Sequence, residues 1–171
     1  METKRDSAKW RQTGFFDHAY QVFAPEHYST ITFKRFAQAF YKSLDQTLHI
    51  KKAGDHYTIY QSDQVVALVQ DQTVSFEADK TNIYRFDLSD KQSTVCYDHL
   101  NQKCLQIYHP NPQAGGWGNI RTFSEVTEHE WDSLLFAGLF LKRKQMLSCV
   151  YTLGLIITLI LMALIFIRIT V

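Results

Sequence analysis

The C-terminal end limits what this chain can be. Met146 to Ile167 holds twenty-two residues with no charge and no proline. As a helix it would be about 33 Å long, enough to cross the hydrocarbon core of a bilayer. Thirteen of its residues are Leu, Ile, Val or Phe, which together favour membrane insertion by roughly 6 kcal/mol. The bilayer is therefore the first expected partner, through residues 146–167.

Charge sets the expected orientation. Lys142, Arg143 and Lys144 precede the span, and only Arg168 follows it. An excess of basic residues on one side holds that side in the cytoplasm, so Ile169 to Val171 would lie across the membrane. So short a tail implies insertion after translation, as for tail-anchored proteins. Met1 to Arg11 is polar, with no apolar run behind it, and does not read as a secretory signal. The expected division is a flexible arm over 1–12, a cytoplasmic domain over 13–144 and an anchor over 145–171.

Without the span, about 145 residues remain, one domain's worth. A formal net charge of +1 gives no field suited to nucleic acid. Aromatics at 14%, twelve Phe and nine Tyr among them, argue for a packed core rather than disorder. A domain in the cytoplasm would keep its thiols reduced. In an oxidising space, Cys96 and Cys104 would be near enough in a hairpin to pair. Cys149, at the membrane boundary, reads as a small helix residue, with palmitoylation as the alternative.

Two helices are predicted before the strands. Phe15, Phe16, Ala19, Tyr20 and Phe23 suggest a turn or two closed by Pro25. From Ile31 to Leu48, the apolar residues Phe33, Phe36, Ala37, Phe40, Tyr41, Leu44 and Leu48 form a stripe at the 3.6 period, with Lys34, Arg35 and Lys42 opposite. From Asp55 the period falls to two. Strands are expected at 57–60, 65–69, 73–78, 82–88, 94–98 and 104–108, with another at 119–123 after a Pro/Gly-rich loop. The links are too short for helical crossovers, so the strands form an antiparallel meander. Thr127 and Glu130 form a capping box, and Leu134 to Leu141 is apolar nearly all round, so its helix must be buried. Its burial would be against the sheet or partly in the headgroup layer, and the same helix could run straight through the basic triplet into the membrane. The fold class is α+β: a six- or seven-stranded meander with an amphipathic N-terminal helix, a C-terminal helix and one transmembrane helix.

Six or seven antiparallel strands closed off by a helix carrying Trp131 resemble a pleckstrin-homology-type barrel over about residues 55–144. Lipid-binding members of that family carry basic residues in the first hairpin. Here it reads Gln61-Ser62-Asp63-Gln64, so the resemblance implies a fold and no headgroup recognition.

Chemistry is sparse. Cys96, His99, Cys104 and His109 have the ligand types for tetrahedral zinc. However, the stretch lacks the glycines of a zinc knuckle, and extended strands send Cys96 and His99 to opposite faces. No catalytic elbow, paired-acid motif or phosphate loop is present, so no catalytic residue and no cofactor is assigned. Gly154 and Thr158 give a small-xxx-small pattern suited to helix pairing, including pairing between copies of the chain. Three functions are in view. The first is a non-enzymatic module that binds a protein of a membrane complex, or inhibits something acting at the membrane. The second is a membrane-bound hydrolase or transferase assisted by metal at the Cys/His group. The third is a lipid-surface sensor using the Phe33 stripe and the Lys142 triplet.

Overall fold

The computed structural model describes residues 8–13, 19–25, 27–34, 38–109, 116–124 and 126–170, and the side chains of all of these except 128 and 164–170. From Ala8 onward, buried and exposed positions mostly alternate, as they do in strands covered on one face. Among the described residues there are twelve strands: β1 Ala8–Gln12, β2 Ala19–Ala24, β3 His27–Lys34, β4 Gln38–Lys42, β5 Thr47–Ala53 and β6 His56–Gln61 in the first half. The second half comprises β7 Gln64–Gln70, β8 Thr73–Phe76, β9 Ile83–Asp87, β10 Ser93–Tyr97, β11 Lys103–Tyr108 and β12 Trp117–Thr122. Tight turns enforce antiparallel pairing. Ser62 and Asp63 both have positive φ (46° and 66°), the geometry that matches the twist of a two-residue hairpin.

Every strand pairs with its sequence neighbours, and β1 also pairs with β12, so the sheet closes into an up-and-down barrel. Closure removes the unpaired strand edges that invite aggregation. At the seam Trp10 lies opposite Gly118, and its indole N–H crosses over to donate to the Tyr108 carbonyl at 2.9 Å. A Cβ on Gly118 would come within 2.3 Å of that indole nitrogen, so the crossing requires glycine at this position.

One helix follows, α1, from Glu128 to Thr170. The capping box is present: Thr127 Oγ1 donates to Glu130 Oε2 at 2.7 Å, and the Thr127 backbone N–H reaches the same oxygen at 3.1 Å. From Trp131 to Lys142 every residue is buried. Leu134, Leu135, Phe136, Leu139, Phe140 and Leu141 join the inward residues of the strands, Ile31, Tyr41, Ile50, Phe86 and Ile107 among them, in a single core. The helix thus fills the barrel lumen. Eight strands close around their own side chains, whereas twelve leave axial space, and a helix about 10–12 Å across fills it. Twelve buried residues span about 18 Å, comparable to strands of four to eight residues at about 3.3 Å each. From Met146 to Ala163 the helix carries no charge and is mostly exposed, with Val150 at 65% and Leu155 at 64%. It is long and apolar enough to cross a membrane.

Several expectations are corrected. The strands number twelve, not six or seven, and α1 threads the barrel instead of closing off a small one, so the pleckstrin-homology resemblance does not extend to this topology. The described residues of 31–48 are not helical: they comprise the second half of β3, all of β4 and the start of β5. Ile31, Phe33, Ala39, Tyr41 and Leu48 point inward at period two, while Leu44, counted in the helical stripe, is 84% exposed. Phe36 and Ala37 lie outside the described residues. So do 14–18 of the short helix expected near Phe15, and residues 19–24 are strand β2. Ala8–Gln12, read as part of an arm, is strand β1.

Gly138 tests where the helix lies. A Cβ there would meet Phe86 Cε1 at 2.8 Å and Ile107 Cδ1 at 2.9 Å, whereas at Gly154 it meets nothing within 4 Å. On an open helix, Gly→Ala stabilises by about 1 kcal/mol. Inside the barrel, overpacking outweighs that gain, and Gly138→Ala should destabilise by about 1–2 kcal/mol. Gly154→Ala should be neutral or mildly stabilising, and denaturant titration of the two variants gives the comparison.

Candidate functional site

The basic triplet forms a collar where α1 leaves the barrel. Successive helical residues project about 100° apart, so three in a row reach three parts of the rim. Lys142 turns inward, and its ammonium donates to the carbonyls of Leu88 (3.0 Å) and Asp90 (2.7 Å) in the β9–β10 loop. That loop is shaped to receive it. Asp87 accepts from the Ser89 N–H at 2.9 Å; Asp90 accepts from the Gln92 N–H at 2.9 Å and the Ser93 hydroxyl at 2.8 Å. These bonds hold both carboxyls below the usual range, backbone donors contributing most. Burial lowers the pKa of Lys142, and Asp90 and Asp87 oppose that shift. Arg143 lies over the Phe33 ring at 4.4 Å and donates to the Tyr20 hydroxyl at 3.4 Å. Lys144 sits over the Tyr57 ring at 4.7 Å.

Below the collar, His109 shares a hydrogen bond with the Thr94 hydroxyl at 2.8 Å and meets the Trp10 ring edge-on. Burial pushes its pKa down to about 4, and the charge of Lys142 adds to the shift. Its neutral form is therefore the one that packs.

At the opposite end, where α1 enters, a polar cluster interrupts the core. Asp132, with a side chain only 2% exposed, accepts from the Gln46 amide and lies 3.4 Å from His27 Nε2. His27 is also 2.8 Å from the Tyr41 hydroxyl. Trp131 beside it donates to Thr122 Oγ1 at 3.0 Å. These contacts join the first turn of α1 to β3, β4 and β12 and to the β4–β5 turn. A cleft of about 240 Å³ lies against them, lined by Asp45, Gln46, Gln61, His129 and Asp132.

The outer wall carries a third feature. Arg11 lies 4.9 Å from the Trp117 ring centroid and 5.8 Å from that of Phe23. Phe23 in turn packs on Trp117 and Tyr28 at 5.4 and 5.1 Å. Trp117 and Tyr28 remain 42% and 43% exposed, beside a shallow depression lined by Lys9, Phe23, Pro25 and Asn119. This cluster joins β1, β2, β3 and β12 across the closing seam.

The four zinc candidates are not brought to one point. Cys96 and Cys104 are buried and unpaired, and the Cys104 thiol donates to the Cys96 carbonyl at 3.2 Å. Burial raises the Cys96 thiol well above its ordinary range. His99 sits in the β10–β11 turn against Asn82 at 2.9 Å, and His109 follows β11 at its other end. A six-residue strand separates them by about 20 Å. Among the described residues, no group of three His, Cys, Asp or Glu side chains could hold a metal ion. In the exposed part of α1, Thr158 donates back to the Gly154 carbonyl at 2.9 Å, and Cys149 is exposed. No family model, curated protein or solved structure matches the chain.

Sequence reading reached the collar residues but not their directions, and it missed His27, Tyr41, Asp132 and the Arg11–Trp117 cluster. A lone carboxylate beside an otherwise apolar helical run was the available sign of the Asp132 cluster.

The state of His109 has a measurable consequence. Its folded pKa of about 4 lies below the unfolded value of about 6.5. Between these values the unfolded chain binds the extra proton, so acid favours unfolding. The contribution is fully present above about pH 6.5 and is lost as pH falls through 4. Denaturation midpoints measured from pH 7 to pH 4 should fall less steeply for His109→Gln than for the parent.

Proposed function

We propose that this chain is a single-pass membrane protein whose barrel is a non-enzymatic interaction module on the cytoplasmic face. The observation that carries this reading is that one continuous helix fills the lumen and then emerges as an exposed apolar rod. With α1 in the lumen, the space in which a barrel of this size could hold a small molecule is taken up by the chain's own core. Binding is left to the outer wall and the mouth. The large apolar residues of the emergent rod, Val150, Leu153, Leu155 and Leu159 among them, are more than half exposed, and a bilayer supplies apolar surroundings for them. The collar supports the sidedness, since its basic residues belong on the cytoplasmic side of a span.

The partner surface in this reading is the cluster of Arg11, Phe23, Tyr28 and Trp117. Exposed aromatics with an arginine are the composition of interaction hot spots, and the cluster sits on rigid paired strands. The partner is a protein of a membrane complex, held near the barrel by the shared bilayer.

Purification of the full-length protein from native membranes in mild detergent tests this. A stoichiometric companion should remain bound, and Trp117→Ala, which removes an anchor worth about 2 kcal/mol or more at a hot spot, should release it while the barrel stays folded. A clean monomer from native membranes would contradict the proposal.

A further inference from the structure

A groove opens between the barrel rim and the emerging helix, with a volume of about 310 Å³. One wall is the rim, through Phe33 and Tyr57; the other is a stripe of α1 formed by Phe140, Lys144, Leu147 and Tyr151. These helical positions recur at spacings of three and four, so they share one face. The two cations at the groove are placed on its two rim aromatics: Arg143 over Phe33 at 4.4 Å and Lys144 over Tyr57 at 4.7 Å. Below them the lining is mostly apolar, through Leu147 and the Tyr151 ring with Ser148 between them, and Tyr151 lies about 10 Å further along the helix axis than Lys144.

We infer that this groove holds one anionic phospholipid of the leaflet that α1 enters, its phosphate on Lys144 and Arg143 and an acyl chain between the rim and Leu147 and Tyr151. The inference rests on the membrane reading of the C-terminal helix. Two features select this occupant. The groove is basic at its top and apolar at its base, which matches an amphiphile with a negative head. It is also continuous with the exposed apolar surface of α1, where Val150 and Leu153 are 65% and 60% exposed, so a fully water-soluble ligand would face hydrocarbon at its lower end. Guanidinium and ammonium groups both make charge-assisted hydrogen bonds to phosphate oxygens. Stacking on the rim rings holds them in place before the lipid arrives, which reduces the ordering cost of binding. A zwitterionic lipid presents the same phosphate with a cation of its own, which the basic pair repels. The groove thereby favours net negative charge.

Native mass spectrometry of the full-length protein in mild detergent, with phosphatidylglycerol or phosphatidylcholine of identical acyl chains, tests the inference. One phosphatidylglycerol should be retained in preference to phosphatidylcholine, and Lys144→Gln should weaken that retention about fivefold. Ser148→Trp, which fills the groove from its helical wall and leaves both charges, should abolish it. Equal retention of the two lipids, indifference to both variants, or displacement by excess inorganic phosphate would each overturn the inference. Alkaline carbonate extraction of native membranes separates the two levels. Release of the protein removes the membrane reading and the lipid site with it. A protein that resists extraction but shows no lipid preference loses the site alone.

Discussion

A stretch of helix that is apolar on every side needs apolar surroundings on every side. Leu134 to Leu141 obtains them from twelve strands closed around it, and the strands obtain their core from the helix. Neither half is a complete structure alone, since a twelve-stranded barrel without α1 would be hollow. Burial of each large side chain contributes about 2 kcal/mol, and close packing leaves little tolerance, as Gly138 against Phe86 and Ile107 shows. The Asp132 cluster fixes the depth of insertion from one end and Lys142 from the other, 52 and 54 residues from its two carbonyl partners.

The same helix then changes surroundings. Inside the barrel its apolar residues face protein, and beyond the collar they face outward, available to lipid. The collar marks this change and divides its labour. Lys142 is turned into the rim as a structural tie, while Arg143 and Lys144 lie on aromatic rings at the boundary. A basic triplet that reads in sequence as a single topological signal therefore holds two kinds of residue. One seals the mouth, and two face the groove beside it.

The half of the barrel from β6 onward could be read from the sequence because its turns are sharp and its alternation is clean. The half before it could not, because aromatics occur on both faces of the strands. Phe40 points outward and stacks on His49 at 4.2 Å, and Phe23 packs outward against Tyr28 and Trp117. Apolar residues at both parities imitate a helical stripe when the turns between strands are short. The run Thr30-Ile31-Thr32, β-branched throughout, was the local signal for a strand. Closure through β1 and β12 joins segments more than a hundred residues apart, and Trp10 with Gly118 at that seam has no local signature. Likewise, Asp132 stood out only as a polar residue beside an apolar run, because His27 and Gln46, which contact it, and Tyr41, which contacts His27, are placed by the fold of the barrel. The capping box and the all-round burial of 134–141 follow from local chemistry and are found as the sequence indicates.

Hydrogen exchange on the full-length protein in detergent tests the threaded helix most directly. If α1 fills the lumen, the amides of Trp131 to Leu141 exchange only through global unfolding, together with the central residues of the strands. Exchange of those amides at the rate of an exposed helix, while the strands remain protected, would place the helix outside the barrel.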